Sequence, residues 1–377
     1  MSAAPPVAVE PSRGSAERLR LPLALAAALL AGFCITALVS REPLRAYLTL
    51  LTGALPEIDW SASGGWQVRR LVRFGSVIED FITLSFLGLA LAVPFRARQF
   101  SLGADGQMFL AALAACAVSL ALGGPWYRVL PAAAGAAMLT GFAWGLIPGL
   151  LKVRYQANEI VTTLMLNLVA VQFYQWIITG YLRDRGAGYL VTPALPAAAL
   201  WPNLMPHTHV TLMLLLVPAA AAAVQLLLAR TTLGYEIRAV GAAPAFARQA
   251  GMPVTRAVTL SMALGGVFAG LAGLHLSNAL LQRLPVDLTP GLGYDGLVVA
   301  LLARSEPKSV PLAAFFYAWL RTGALAMERS TDVSREMVLV IEALIILFIV
   351  ADRLVPPGLP KALRRLWHRS GAGAEAA

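Results

Sequence analysis

The chain is divided into long apolar runs, several near the length a helix needs to cross a hydrocarbon core about 30 Å thick. A backbone in lipid must satisfy its own hydrogen bonds, which leaves only helices or closed barrels. The runs lack the two-residue alternation of barrel strands, so they read as helices. Composition agrees: hydrophobic residues make up 58% and charged residues 13%, about half the charged share of an ordinary soluble domain. The expected fold class is all-α, a polytopic integral membrane protein with about ten transmembrane helices and a weak inverted repeat.

The expected spans are residues 21–40, 77–95, 108–123, 129–150, 160–180, 210–229, 257–279, 291–303, 310–326 and 337–351. The third, eighth and ninth are short, as suits segments that break or re-enter where protein or a water-filled cavity covers the backbone. Residues 1–20 are expected to form a cytoplasmic tail, 21–355 a membrane domain, and 356–377 a basic cytoplasmic tail. Arg18 and Arg20 lead into the first run, which favours a retained span over a cleaved signal peptide.

Basic residues set the orientation. With both termini inside, the inner segments hold 18 of the 30 Lys and Arg, among them the whole C-terminal tail and the loop 230–256. The expected location is the cell (inner) membrane, multi-pass, with both termini cytoplasmic. Topology thus accounts for the net charge of +10, and no pattern for nucleic-acid binding accompanies it. Cys34 and Cys116 both fall within apolar runs, which leaves neither a disulfide framework nor a zinc site.

Two short copies stand out. Residues 102–106 read LGADG and residues 292–296 read LGYDG, each leading into an apolar run five spans from the other. In ten spans the copies run in opposite directions, the arrangement that marks the solute route of inverted-repeat transporters. Asp105 and Asp295 are read either as solute contacts or as helix caps. Residues 157–170 read ANEIVTTLMLNLVA, a polar head and an internal asparagine in an apolar helix, where polar groups are costly and need a reason. Asn158 and Glu159 sit at its start, where capping is the simpler role. Thr163 and Asn167 share a face at i and i+4, and serve either interhelical hydrogen bonding or the lining of a path. The longest inner loop, residues 231–255, reads TTLGYEIRAVGAAPAFARQAGMPVT, two short helical stretches about Pro244 with Gly241 and Gly251 as stops. Such a helical loop between spans suits the docking of a soluble partner.

These stretches resemble the permease subunits of bacterial ABC importers for nucleosides, within a group that also carries branched-chain amino acids and simple sugars. Residues 100–107, FSLGADGQ, resemble the family's FNIGxEGQ, with Ser101, Leu102 and Asp105 departing. NEIVTTLMLN matches more closely. The inner loop is similar to LGxxxRAVGxNxxAAxxAGI, matching at Gly234, Arg238, Ala239, Val240, Gly241, Ala247, Ala250 and Gly251; Ala243 and Arg248 depart. Residues 291–307, GLGYDGLVVALLARSEP, resemble a G-x-G-[FY]-x-G stretch near the family's C-terminus. The resemblance implies a substrate path at Asp105, Gln107, Asn158, Glu159, Thr163, Asn167 and Asp295. It implies ATPase coupling through Gly234, Arg238, Gly241, Arg248 and Gly251. It further implies an ABC ATPase subunit, a second permease subunit of a different chain, an extracytoplasmic solute-binding protein and a small-molecule substrate, with no nucleic acid.

No GxxxxGK[ST] phosphate loop is present, so the chain has no such means of hydrolysing ATP; ATP and Mg are expected on the partner ATPase, and no cofactor on this chain. His207, His209 and His275 are scattered and read as structural. Glu342 and Arg321 are the clearest charges within spans, and either pair across the bundle or leave Arg321 to snorkel to the membrane surface. The expected function is the permease subunit of an importer, most simply for a nucleoside. A sugar or branched-chain amino acid permease of the same build, and a proton-coupled carrier, are the alternatives.

Overall fold

The computed structural model describes residues 30, 32–38, 40–60, 66–69, 71–205, 208–288 and 291–351. Both tails, most of the expected first span and His207 lie outside that set. Twelve helices with bounds that can be given follow in order: α1 (Pro43–Thr52), α2 (Leu71–Arg96), α3 (Ala104–Ala121), α4 (Trp126–Tyr155), α5 (Glu159–Gly180) and α6 (Met213–Arg230). Then come α7 (Thr232–Ala242), α8 (Pro244–Gln249), α9 (Val254–His275), α10 (Leu292–Leu302), α11 (Val310–Ser330) and α12 (Arg335–Ala351). The architecture is all-α apart from one antiparallel hairpin in the first long loop, β1 (Glu57–Trp60) with β2 (Trp66–Arg69).

Among the described residues, seven helices are long and apolar enough to cross a membrane: α2 to α6, α9 with its extension to Leu281, and α11. Seven of the ten expected spans match these helices closely; the expected tenth is α12, of 17 residues, and most of the expected first lies outside the described residues. The expected eighth span is α10, only 11 residues long, about half a bilayer crossing. The expected ninth is not short: α11 has 21 residues.

The chain divides into two compact units. The larger, Thr52–Gly323, holds most of the spans. Its centre is α9, packed on α2, α3 and α4, and α2, α3 and α9 are the most buried of the long helices. Without a hydrophobic drive in lipid, helices associate through close packing at small residues. Here Gly141, Gly145 and Gly149 of α4 face Gly266, Gly270, Met262 and Thr259 of α9, and a Cβ on Gly141 or Gly266 would overlap the other's carbonyl oxygen. By contrast only 28%, 22% and 33% of the residues in the apolar stretches of α4, α5 and α6 are buried. Past His275 the backbone of α9 widens into a π turn, Leu276–Leu281, pinned by Asn278 Nδ2 donating to Ser119 Oγ (2.8 Å) and to the Ala199 carbonyl (2.9 Å).

The smaller unit, Met1–Leu51 with Ala324–Ala377, contains the turn in which Asp332 accepts hydrogen bonds from Ser40 Oγ (2.6 Å) and the Arg41 amide (2.8 Å). A cleft of about 280 Å³ beside it is lined by Arg41, Glu42 and Arg45.

Candidate functional site: a junction of two helix starts

The polar head of α5 explains its own helix. Asn158 is the N-cap, its Oδ1 accepting from the amides of Ile160 (2.9 Å) and Val161 (3.4 Å). Glu159 binds Lys152 of the preceding helix end at 2.6 Å. Asn158 thus closes the start of α5, and Glu159 fastens it to α4 where the chain turns.

Deeper along α5 the side chains reach across to the first of the two copies. Thr163 Oγ1 accepts from the Leu102 amide at 3.1 Å and donates to the Glu159 carbonyl at 2.7 Å. Asn167 uses both ends of its amide. Its Nδ2 donates to the Leu102 carbonyl at 2.7 Å, and its Oδ1 accepts from the Gly106 amide at 3.0 Å. Gly106 has no room for a side chain, because a Cβ would fall 2.8 Å from Asn167 Oδ1. The turn before α3 is thus clamped to α5. Asn167 lies eight residues past Glu159, which puts the clamp about 12 Å from the end of the helix and well inside a membrane.

From that clamp Asp105 reaches the second copy. Its Oδ1 accepts from the Gly293 amide at 2.6 Å and its Oδ2 from the Gly291 amide at 3.0 Å. Helix α10 has no side-chain cap of its own, and Gly291 enters it with φ +134°. Its cap is a carboxylate that precedes it by 186 residues in the chain. Asp105 is 2% exposed, and the positive end of a helix stabilises its charge. Gly293 makes this approach possible, since a Cβ there would lie 2.6 Å from the Asp105 amide.

The second aspartate behaves differently. Asp295 accepts from Tyr317 Oη at 2.7 Å and pairs with Arg321 Nη1 at 3.1 Å, both on α11. Arg321 Nε also lies 3.9 Å from Asp80 Oδ2 on α2. The three charged side chains are 26–31% exposed, unlike Asp105. Arg321 therefore has Asp295 and Asp80 as partners; the side chain of Glu342, expected to face it, lies outside the described set. The sequence reading missed Asp80 and Tyr317. An acidic pair, Glu79–Asp80, inside an apolar run was the available signal.

Gln107 stands two residues past Asp105, 4% exposed and packed by Gly103 and Gly145. Among the described residues its side-chain amide has no hydrogen-bond partner. The structure thus joins Thr163, Asn167, Asp105 and Gln107 around one junction and puts Asp295 on its far side. Asn158 and Glu159 stay at the helix end.

The inner loop forms the two short helices read from its sequence, α7 and α8, with Pro244 opening the second. Thr231 caps α7 by accepting from the Gly234 amide at 3.0 Å. Gly241 does not stop α7, which runs to Ala242; its missing side chain lets α7 lie against the Arg96 carbonyl at the end of α2. Gly234 sits equally close to Leu227. Gly251 does end α8, with φ +77°. Arg238 and Arg248 are exposed, as are Tyr235 and Phe246, so the segment presents basic and aromatic side chains outward while Gly234 and Gly241 face the spans.

A bundle in which one half-length helix starts against a full span, with a helical loop braced on its inner end, is the build of a membrane permease. Residues 74–350 match the family described as the permease component of the branched-chain amino acid transport system, and the chain belongs to that family. It is 31% identical over 310 residues to the guanosine ABC transporter permease protein of Bacillus subtilis (strain 168), spanning 81% of this chain and 89% of that one. Identity to the glucose ABC transporter permease protein of Haloferax volcanii is 32% over 286 residues, 73% of this chain and 75% of the relative. For the nucleoside ABC transporter permease protein of Lactococcus lactis subsp. cremoris it is 28% over 302 residues, 76% and 82%. No solved structure matches the chain. The resemblance drawn from the motifs holds for the family as a whole.

Proposed function

We propose that this chain is one of two membrane subunits of an ATP-driven importer for a nucleoside. The observation that carries the reading is the junction at Asp105, where the half-length helix α10 starts against the start of α3 inside the spans, as in transporters built on broken helices. The solute comes from the relatives: two of them are named for guanosine or nucleoside. The glucose relative supports a second reading, a sugar, which shares the need for amide and hydroxyl partners. In either case Gln107, whose amide is unspent, and the partly exposed Asp295 cluster face the solute. Asp105, Thr163, Asn167 and Asn158 shape the route without touching it.

The chain has no phosphate loop, so the energy comes from a partner ATPase that carries the ATP and Mg. Helices α7 and α8 receive its movement through their exposed Arg238 and Arg248, and pass it to α2 through the Gly241 contact. An extracytoplasmic binding protein delivers the solute, and the exposed faces of α4 to α6 offer area for lipid and the second permease. The chain lies in the inner membrane with both termini cytoplasmic. Reconstituted alone in liposomes it is expected neither to hydrolyse ATP nor to accumulate solute. With its ATPase, second permease and binding protein, it should concentrate guanosine only when ATP is present, with glucose competing poorly. Accumulation driven by a proton gradient without an ATPase overturns the reading, and preference for glucose moves it to the sugar.

A further inference from the structure

We propose that Asp105 is a positioning residue for transport: by holding the start of α10 it sets where Asp295 and its Arg321–Asp80 partners stand. The inference rests on the permease reading above and goes beyond it, because it couples two sites that the sequence presents as copies. Helix α10 is short and is gripped at its first turn from two sides. Asp105 of α3 takes the Gly291 and Gly293 amides, and two residues on, Asp295 is taken by Tyr317 and Arg321 of α11. Asp105 is in turn held by its own turn's bonds to Thr163 and Asn167 of α5. A bonded line therefore runs from α5 through α3 and α10 to α11 and, by Arg321, to Asp80 of α2. Along it Asp105 is the only side chain of α3 that bonds the start of α10 among the described residues. Its carboxylate has two acceptor oxygens for two amides. An asparagine has one, and its NH₂ would face an amide donor.

The test uses the assembled importer in proteoliposomes, in a background lacking Cys34 and Cys116. Tyr294, exposed beside Asp295, is replaced by Cys and its rate of labelling by a small water-soluble thiol reagent is measured. Asp105→Asn is expected to shift that rate by about tenfold, the scale of losing hydrogen bonds to a charged group. Gly293→Ala, which pushes on the same contact from the other side, gives a shift of the same order. Asp105→Glu, with both oxygens kept on a longer arm, returns it toward wild type. A Cys at Tyr189, exposed in the loop between α5 and α6, labels alike in all of them. Guanosine uptake supplies a second reading, in which Asp105→Asn and Asp295→Asn each raise KM and the double variant loses no more than the worse single. Labelling at 294 that stays within twofold of wild type in both Asp105→Asn and Gly293→Ala overturns the inference, as do losses that multiply in the double variant. If the wild type takes up no guanosine, the nucleoside reading fails and the labelling series still decides this one. Should Asp105→Asn not reach the membrane, Gly293→Ala decides it alone.

Discussion

LGADG and LGYDG differ by one letter, yet their aspartates meet different fates. Asp105 is sealed in the protein and spends both oxygens on the backbone of the other copy. Asp295 sits one helix turn away from that contact, partly exposed, and is matched by a guanidinium and a phenol. The first is a fastening with no counter-cation; the second is a charge that needs one. A five-residue likeness therefore fixes where a helix starts, while the neighbouring helices decide what its acid does. Here α10 supplies free amides to one and α11 supplies Arg321 to the other.

The comparison breaks first at Arg321. Arg321→Met leaves Asp295 and Asp80 without a cation inside the spans, and removing one partner of a buried pair costs about 3–5 kcal/mol, less here for partial exposure. Loss of the protein from the membrane is expected, read by immunoblot and by melting in detergent, with Arg321→Lys tolerated and Asp295→Asn restoring part of the loss. Normal levels of Arg321→Met would erase the contrast between the two acids. Asn167→Leu comes next. It strands the Leu102 carbonyl and the Gly106 amide, each worth roughly 1–3 kcal/mol when buried and unmade. The variant should assemble poorly, whereas lost uptake with intact assembly would return Asn167 to the solute path. The smallest change is Asn158→Ala, which removes one helix cap at about 1 kcal/mol. Uptake should persist with a slightly lowered melting temperature, and complete loss of uptake would make Asn158 a path residue.

Much of this was legible. Apolar runs located the long helices because hydrocarbon enforces one solution on the backbone. Asn158 and Pro244 announced their helix starts by local chemistry. Other features depended on what lies opposite. Nothing in LGADG says that its acid caps a helix 186 residues away, since both ends of that bond are ordinary until folded together. Gly241 read as a helix stop because glycine often is one, but the Arg96 carbonyl beside it was invisible. The four-residue spacing of Gly141, Gly145 and Gly149 was there to be read as a packing seam and was passed over in a chain rich in small residues. Arg321 stood out as a charge within a span, but that Asp80 and Asp295 lie beside it depends on how three helices pack.

The most direct test compares two single cysteines, Asp295→Cys and Asn167→Cys, each in the assembled importer lacking Cys34 and Cys116. A small water-soluble thiol reagent is applied with and without solute, in nucleotide-free and ATP-bound states. Position 295 should label in at least one state and be protected by solute, while position 167 stays unlabelled throughout. Labelling at 167 that solute blocks, with 295 inaccessible in every state, would contradict the account.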